Sequence, residues 1–211
     1  MLRERYVSLW GLQGKYEFVE GDVRNKDVLR KAFEDVNIVF DLVGITNAPI
    51  SFERKELTLD VNVNGLKNIL EFVLKNNTNY LYSSTASVYG NTDGNIVTED
   101  TECHPQSPYG ESKLLAEKEI QKVQEENGLK PKILRLSTVH GWSSGIRFDI
   151  AANRFAYSAS TGTPLTVWSS AMNEYRPYIH VKDACRAFIH AFKKDLVGIH
   201  NIVSENIQMG D

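Results

Sequence analysis

The chain has 211 residues, of which 42% are hydrophobic and 24% are charged, and its formal net charge at pH 7 is -3. This composition indicates a soluble globular protein with room for a sizeable core, in one domain or one and a part. The mild acidity gives no reason to expect a nucleic acid or a membrane surface as partner. The two cysteines lie far apart, and no apolar run could span a bilayer, so a cytoplasmic location is expected.

The hydrophobic pattern predicts helices and strands that alternate along the chain. Up to residue 141 the predicted strands are residues 16–20, 37–43, 79–83 and 132–136, and the predicted helices are 26–35, 53–75 and 109–126. Beyond it the predicted helices are 148–160 and 183–194, and the predicted strands are 165–168, 178–181 and 199–203. Asn25 is expected to cap the first helix, and Gly128 and Pro131 to end the third. Such alternation with short connections predicts a doubly wound α/β fold with a parallel sheet.

Small and hydroxylated residues collect where four of the predicted strands end. These ends are Gly21-Asp22, Leu42-Val43-Gly44, Ser83-Ser84-Thr85 and Ser137-Thr138. In open α/β sheets, ligands bind at the carboxyl ends of the strands. A single turn of this kind is weak evidence for a ligand site, because strand-to-helix turns are generally rich in Ser, Thr and Gly. Four such ends in succession favour a ligand-binding edge.

The stretch from Ser107 to Lys113, SPYGESK, carries chemistry of its own at the start of a predicted amphipathic helix. Tyr109 and Lys113 are four residues apart, so both project from one helix face. An ammonium one turn away favours the tyrosinate, and such a pair can exchange a proton with a substrate hydroxyl or carbonyl oxygen. Tyr178 and Lys182 share this spacing, but four residues along a predicted strand span roughly 13 Å, which is too far for that coupling.

Several segments together resemble the extended short-chain dehydrogenase/reductase family, in its branch of NAD-dependent nucleotide-sugar epimerases and dehydratases. The resemblance runs from about residue 17 to the end of the chain, with the motifs in the family's order. The segments are Glu20-Gly21-Asp22-Val23-Arg24, Asp41-Leu42-Val43-Gly44, Asp60-Val61-Asn62-Val63-Asn64-Gly65, Ser83 to Gly90, the YxxxK motif of Tyr109 to Lys113, Arg135 to Gly141, and Arg176 to Asp183.

The resemblance implies a Rossmann-like fold, NAD as cofactor and a nucleotide sugar as substrate. It implies Tyr109 as the catalytic acid/base, supported by Lys113, Thr85 and Asn62. Cofactor contacts are implied for Asp22, Val23, Leu42, Val43, Gly44, Ser83, Tyr109 and Lys113, and substrate contacts for Thr85, Thr138 and Arg176. No acidic residue that would hold the ribose hydroxyls is identified, so NADP stays open beside NAD.

The residues after Thr85 narrow the expected reaction. Dehydratases of this family carry an Asp-Glu pair there, whereas this chain has Ala86 and Ser87 and no carboxylate to drive the loss of water. The resemblance therefore favours an epimerase, most like a UDP-sugar 4-epimerase, and leaves a simple dehydrogenase or reductase open. Thr138 stands where the family often has Asn, and Pro177 stands where Asp is more usual.

The family's opening strand, glycine-rich GxxGxxG turn and helix find no match in the sequence. Gly11-Leu12-Gln13-Gly14 is followed by Glu17 and has no apolar strand before it. We therefore expect an incomplete dinucleotide-binding domain at residues 1–141, lacking the first βαβ unit, interleaved with a partial substrate region at residues 142–211. A truncated or inactive fragment stays open, as does a non-catalytic dinucleotide-binding module, although the retained tyrosine and lysine argue against the module.

The remaining candidates are weaker. None of the five histidines pairs with a cysteine or another histidine at ligand spacing, so no metal site is predicted. Trp142 and Trp168 are expected to be packing residues, and Asn153 and Arg147 to lie on the surface rather than hold phosphates. A homodimer through helices 53–75 and 109–126 is an option. In it Leu66, Ile69 and Val73 would face the partner, and the equal alternative is that they pack against the sheet.

Overall fold

In a computed structural model of the chain, residues 15–92, 94–167 and 169–210 are described, apart from the side chain of Ser170. The backbone forms two compact units. The larger unit comprises Val19–Leu136 and Phe188–Asn201, and the smaller one comprises Ser137–Ala187 with the described residues of 1–18 and 202–210. In this described part of the chain, no helix combines the length and apolar character needed to cross a membrane.

Helices and strands alternate through most of the described chain. The helices are α1 (Lys26–Ala32), α2 (Ala48–Glu53), α3 (Lys55–Leu59), α4 (Gly65–Lys75), α5 (Pro108–Asn127), α6 (Ala151–Thr161) and α7 (Val181–Lys193). The strands are β1 (Ile38–Asp41), β2 (Asn79–Thr85), β3 (Lys132–Leu136), β4 (Thr138–His140), β5 (Tyr175–His180), β6 (Gly198–Ile202) and β7 (Glu205–Gln208). A π-helical turn at Asp60–Asn64 joins α3 to α4, and 3-10 turns lie at Ala86–Val88 and Ser169–Ala171.

The larger unit is organised on a sheet with the strand order β1-β2-β3-β6. β1 and β2 pair in parallel, with Ile38 opposite Asn79 and Asp41 opposite Tyr82. β2 and β3 are also parallel, and Thr85 lies opposite Leu136. Parallel strands require crossover connections, and α4 and α5 provide them here. The predicted α/β architecture is therefore confirmed for this unit, and the carboxyl ends of the parallel strands share one edge of the sheet.

The smaller unit contains a second sheet, with the strand order β4-β5-β7. β4 is parallel to β5, and β5 is antiparallel to β7. The strand predicted at residues 178–181 begins earlier, at Tyr175, and ends at His180. Val181 begins α7, so Lys182 lies on a helix rather than on the strand of Tyr178.

The predicted Asn25 cap of α1 and the predicted end of α5 at Gly128 are confirmed, and Ser107 is a further cap that the sequence analysis does not predict. The Asn25 side chain accepts a hydrogen bond from the backbone N–H of Asp27 at 2.9 Å, as an N-cap does. Ser107 caps α5 in the same way by accepting from the N–H of Gly110 at 3.1 Å. α5 ends at Gly128, whose φ of 71° lies in the left-handed region that glycine adopts without strain.

The core of the larger unit lies where α1, α4 and α5 pack on the sheet. Leu66, Ile69 and Val73 on α4 are buried together with Tyr80 and Ile133 of the strands. Their burial decides between the two predictions made for these α4 residues. They pack inside the chain's own core, so they are not available to a partner subunit.

Several predicted boundaries are wrong. The helix predicted over 53–75 is divided by a break at Arg54 and by the π-helical turn. Residues 16–20 are not a strand, because no β ladder among the described residues includes them. Residues 165–167 are also irregular, and Trp168 lies outside the described residues.

In the smaller unit, α6 starts at Ala151 rather than at residue 148, and an Arg147–Asp149 ion pair of 2.5 Å precedes it. Trp142 is 82% exposed, so its prediction as a packing residue is wrong. The prediction that Asn153 lies on the helix surface is wrong, because the residue is buried. Its amide bridges the N–H of Gly141 and the carbonyl oxygen of Arg147, and these two backbone groups keep it inside.

A buried ion pair joins α5 to β3. Arg135 binds both carboxylate oxygens of Glu117, with Nη2 at 2.7 Å from Oε2. Ser84 also donates to Glu117, and Arg135 donates to the hydroxyl of Tyr89 at 2.8 Å. Both charges are almost completely removed from water, so each depends on the other for compensation.

We expect Arg135→Met to lower the free energy of unfolding by about 3–5 kcal/mol, because it leaves the Glu117 carboxylate buried without its cation. The double variant Arg135→Met, Glu117→Leu should recover much of this loss, since it removes both charges. Urea unfolding at 25 °C measures the effect, with Arg30→Met in the exposed pair with Asp27 as a control of small effect. A double variant less stable than the single one would contradict the expectation.

Candidate functional site

The backbone of Tyr109 is held from both sides at the start of α5. Its N–H belongs to the first helical turn and has no partner within the helix, and it donates instead to Ser51 Oγ of α2 at 3.0 Å. Its carbonyl oxygen accepts a hydrogen bond from Ser112 Oγ at 2.7 Å. Both serines are fully buried. The position of Tyr109 is therefore fixed relative to α2, while its side chain is half-buried.

Lys113 lies one turn further along α5, and only 2% of its surface is exposed. Its Nζ donates to the carbonyl oxygens of Ser83, at 2.9 Å, and Val43, at 3.4 Å. The amine also lies over the ring of Tyr82, 4.5 Å from the centroid. Lys113 thus links α5 to the carboxyl ends of β1 and β2.

The surroundings of Lys113 make its charge costly. Burial lowers the pKa of its amine to about 8, while the charges of Asp41 and Glu117 act in the opposite direction. The group therefore titrates close to neutral pH, as does a lysine that takes part in proton transfer.

Thr85 ends β2 and caps the 3-10 turn that follows. Its Oγ1 accepts from the N–H of Ser87 at 3.2 Å and lies 3.2 Å from the Ser87 hydroxyl. Gly110 brings α5 against this turn, because a Cβ there would lie 2.9 Å from the carbonyl oxygen of Ser87. Only glycine allows this approach, and it places the turn of Thr85 beside the helix of Tyr109.

Asn62 lies in the π-helical turn and connects three parts of the site. Its Oδ1 accepts from the N–H of Ile45 at 2.7 Å, and its Nδ2 donates to the carbonyl oxygen of Ile45 at 3.1 Å. The same Nδ2 donates to Ser112 Oγ at 2.9 Å. π-helical turns are rare and often occur at functional sites. Here the turn carries a buried amide that binds the loop after β1 to α5.

The carboxyl end of β1 presents apolar side chains next to the buried amine. Leu42 is 63% exposed, and Val43 is exposed as well. A Cβ at Gly44 would meet Asn62 Oδ1 at 3.1 Å and Lys113 Nζ at 3.4 Å. The absence of a side chain at Gly44 therefore keeps the backbone close to both polar groups.

Asp22 and Val23 lie on the loop before α1. Asp22 accepts from Arg24 with an Nη2–Oδ2 distance of 2.6 Å, and the hydrogen bonds from Arg24 lower the pKa of Asp22 to about 2. Arg24 also binds Asp60, at the start of the π-helical turn, at 2.8 Å. Val23 packs closely on Gly65, where a Cβ would lie 2.5 Å from its Cγ2. This loop is thereby tied to the segment that carries Asn62.

The expected substrate contacts Thr138 and Arg176 belong to the smaller unit. Thr138 begins β4 and lies opposite Tyr178 of β5. Arg176 is on β5, exposed, and forms an ion pair with Glu174. The predicted site residues Tyr109, Lys113, Ser83, Asn62 and Thr85 and the end of β1 all belong to the larger unit. Thr138 and Arg176 belong to the smaller unit.

The sequence did not identify three residues that hold the site together. Ser51 has no recognisable signal, since its partner is 58 positions away. Ser112 lies between the tyrosine and the lysine, and a small hydroxyl there could have been noted. Asp41 is a carboxylate inside an otherwise apolar strand, which is the kind of exception that marks a buried polar role. Among the described residues, no group of three or more His, Cys, Asp and Glu side chains could hold a metal.

Comparisons with known proteins identify relatives along nearly the whole chain. The model of the NAD dependent epimerase/dehydratase family matches residues 2–203. A putative UDP-glucose 4-epimerase of Methanocaldococcus jannaschii is 30% identical over 190 residues, which cover 88% of this chain and 62% of that protein. A UDP-glucose 4-epimerase of Lactobacillus helveticus is 32% identical, over 62% of this chain and 40% of its own length. The chain thus spans less than two thirds of these relatives.

Solved structures have the same fold. The UDP-glucuronic acid 4-epimerase of Bacillus cereus, in complex with UDP-glucuronic acid and NAD, has a TM-score of 0.86 at 26% identity, over 98% of this chain and 67% of that one. The Thermus thermophilus UDP-glucose 4-epimerase in complex with NAD has a TM-score of 0.82 at 25% identity, over 93% of this chain and 67% of its own. The fold is therefore an α/β fold with the parallel sheet of the Rossmann-like epimerases.

The buried amine of Lys113 predicts how stability changes with pH. Between the native pKa of about 8 and the ordinary value of 10.5, the unfolded chain binds more protons than the native chain. The contribution of Lys113 to the free energy of unfolding therefore rises with pH through this window, by about 3 kcal/mol in total, and is constant below and above it.

Urea unfolding of the chain and of Lys113→Met at several pH values tests this prediction. The variant lacks the titrating group, so the wild-type chain should gain stability relative to it as the pH rises from about 8 to 10. A difference in unfolding free energy that does not change across that range would contradict it.

Proposed function

Since the chain belongs to the NAD-dependent epimerase/dehydratase family, we propose that it carries the reaction site of a nucleotide-sugar epimerase, most like a UDP-sugar 4-epimerase. The observation that carries the proposal is the arrangement on α5. Lys113 is buried one turn from Tyr109, and Gly110 packs this helix against the turn of Thr85. A tyrosine, a buried amine and a hydroxyl at one edge of a parallel sheet are the groups that proton transfer to a sugar oxygen requires.

The residues at the end of β1 suit NAD as the cofactor. Leu42 and Val43 offer exposed apolar surface, and the missing Cβ of Gly44 leaves a cradle in front of Lys113. Lys113 and the Ser83 strand end would lie toward the nicotinamide ribose, and Asp22 and Val23 toward the adenine. The sequence holds no GxxGxxG turn, so residues are proposed only for the adenosine and nicotinamide ends of NAD and not for its pyrophosphate. These residues do not distinguish NADP from NAD.

When bound, NAD supplies the acceptor and donor of the hydride. In the proposed reaction, the Tyr109 tyrosinate takes the proton of a sugar hydroxyl, and the Lys113 ammonium favours that tyrosinate. Thr85 donates a hydrogen bond to the reacting oxygen and positions it. Return of the proton from Tyr109, after the sugar has presented its other face, completes an epimerisation.

The turn after Thr85 supports epimerisation over dehydration. Ala86 and Ser87 form that 3-10 turn, and neither side chain can act as the carboxylic acid or base that elimination of water needs. The relatives named UDP-glucose 4-epimerase agree with this choice. In the smaller unit, we propose that Thr138 and Arg176 contact the nucleotide sugar and that this unit is the substrate region.

The variant Tyr109→Phe tests the proposal. The chain is incubated with NAD and UDP-glucose, and UDP-galactose is separated by chromatography. We expect the substitution to lower turnover by about 10²–10⁴-fold, because the acid/base is lost. Calorimetry should find the affinity for NAD changed less than about threefold, since the phenol ring remains. Tyr16→Phe, an exposed tyrosine, serves as the control.

Three results would contradict the proposal. Retained turnover in Tyr109→Phe would remove this residue as the acid/base. NAD binding without turnover in the wild-type chain would favour a non-catalytic dinucleotide-binding module of the same fold. No binding of NAD would favour a truncated or inactive fragment.

We further propose a homodimer through the surfaces of residues 53–75 and 109–126. The α4 residues considered for this contact are buried in the chain's own core, so the exposed Leu57 and Leu115 would carry it. The double variant Leu57→Glu, Leu115→Glu should place carboxylates in the contact and halve the mass measured by sedimentation equilibrium. A wild-type chain that sediments as a monomer, or an unchanged mass in the variant, would contradict the dimer.

A further inference from the structure

Asp41 is a buried carboxylate at the end of β1, and among the described residues no cation forms an ion pair with it. Only 3% of its surface is exposed. Its Oδ2 accepts from the hydroxyl of Tyr80 at 2.7 Å, and its Oδ1 accepts from the backbone N–H of Val43 at 3.1 Å. A carboxylate placed this deeply is expensive unless it is compensated, so its surroundings need an explanation.

The same residue, Val43, connects Asp41 to Lys113. Asp41 binds the N–H of Val43, and Lys113 binds its carbonyl oxygen at 3.4 Å. Two aromatic rings form a second connection. Lys113 lies over the ring of Tyr82, and Tyr82 stacks on Tyr80, which donates to Asp41. The carboxylate and the ammonium therefore share one buried cluster at the edge of the sheet.

The other ionisable groups near Lys113 are a carboxylate that already has its own cation and three tyrosines. Glu117, one turn along α5, is held by both nitrogens of the Arg135 fork. Tyr109 precedes Lys113 on the same helix, and Tyr82 and Tyr80 are neutral phenols at physiological pH, because burial raises the pKa of each well above 10. Asp41 is thus the buried carboxylate whose charge remains for the ammonium of Lys113.

We propose that Asp41 is a positioning residue of the reaction site, which fixes Val43 beneath Lys113 and supplies the counter-charge that keeps its amine an ammonium at neutral pH. The inference deepens the proposed function and rests on it, because it assigns a third residue to the Tyr109–Lys113 pair. Asp41 does not touch the substrate and acts through Lys113. Its hydrogen bond to Val43 also shapes the exposed strand end proposed for the cofactor.

The electrostatics agree with this geometry. Burial lowers the pKa of Lys113, and Asp41 is the leading opposing charge. Burial likewise raises the pKa of Asp41, while the hydrogen bond from Tyr80 and the charge of Lys113 lower it. Each charged group thus makes the other less costly to bury, as reciprocal linkage requires.

The first test measures the charge of Lys113 directly. Lysine side-chain NMR of the full chain, assigned with Lys113→Arg, follows the amine between about pH 6 and 10. We expect a midpoint near 8 in the wild-type chain and a midpoint lower by about one unit in Asp41→Asn. The variant keeps the shape of Asp41 and an acceptor for Val43 but removes the charge. An unchanged midpoint in Asp41→Asn would overturn the inference.

A matched control comes from the same helix. Glu111→Gln removes a carboxylate two residues before Lys113, but this carboxylate is half-exposed and paired with Lys55. Water screens its charge, so the Lys113 midpoint should move by less than about 0.3 unit. A shift as large as that of Asp41→Asn would show that any nearby carboxylate acts in this way, and would overturn the specific role of Asp41.

The reciprocal titration covers the case in which Asp41→Asn does not fold. In Lys113→Met the carboxyl carbon of Asp41 should titrate about one unit higher than in the wild-type chain, because its cation is gone. Equal midpoints would overturn the inference.

Turnover separates this inference from the proposed function. The alkaline limb of the kcat profile should move about one unit lower in Asp41→Asn with KM unchanged, which a merely structural aspartate would not cause. An unshifted limb would overturn the inference even in an active enzyme. A chain that couples Asp41 to Lys113 in the NMR titrations but turns over no nucleotide sugar would contradict the proposed function alone.

Discussion

The burial of one positive charge, at Lys113, is the constraint on which the site depends. When an ammonium is buried, its N–H donors need acceptors from the protein in place of water. Here the carbonyl oxygens of Ser83 and Val43 accept these hydrogen bonds, and the ring of Tyr82 faces the charge. These groups lie at the ends of two parallel strands, so the helix can place its lysine only where the sheet ends. The pairing of β1 with β2 therefore positions the buried amine of Lys113 as well as the core.

The neighbouring hydrogen bonds show how irregular backbone is held near that charge. Asn62 binds both the N–H and the carbonyl oxygen of Ile45 in the loop after β1. The π-helical turn allows this, because an extra residue in the turn changes the direction in which side chains project. Ser112 continues the chain of bonds to Tyr109. The cost of the irregular turn is thus offset by a satisfied network around the reacting end.

Local chemistry made much of the fold predictable. Asn25 and Gly128 mark helix ends through bonds within a few residues, and the apolar run before Leu42 marks a strand. The segment at residues 16–20 was misassigned, because a strand exists only with a neighbour and the pattern alone does not supply one. The motifs predict Tyr109, Lys113 and Thr85 as site residues, and Gly110 packs the helix of the first two against the turn of the third. Ser51 and the bonds of Asp41 could not be found, since their partners are distant in sequence and are chosen by packing.

The surroundings of Lys113 are formed largely by backbone groups and buried side chains, so the proposed reaction does not require them to change with the sugar. At Gly44 and Gly110 a Cβ would crowd neighbouring atoms, so glycine is needed there. Lys113 is held by hydrogen bonds to carbonyl oxygens such as that of Ser83. The residues proposed to contact the nucleotide sugar, Thr138 and Arg176, belong to the smaller unit, and Arg176 is exposed. Contacts to a substrate can change without any change in the groups around Lys113, so the proposed nucleotide sugar has to be argued from the smaller unit and not from α5.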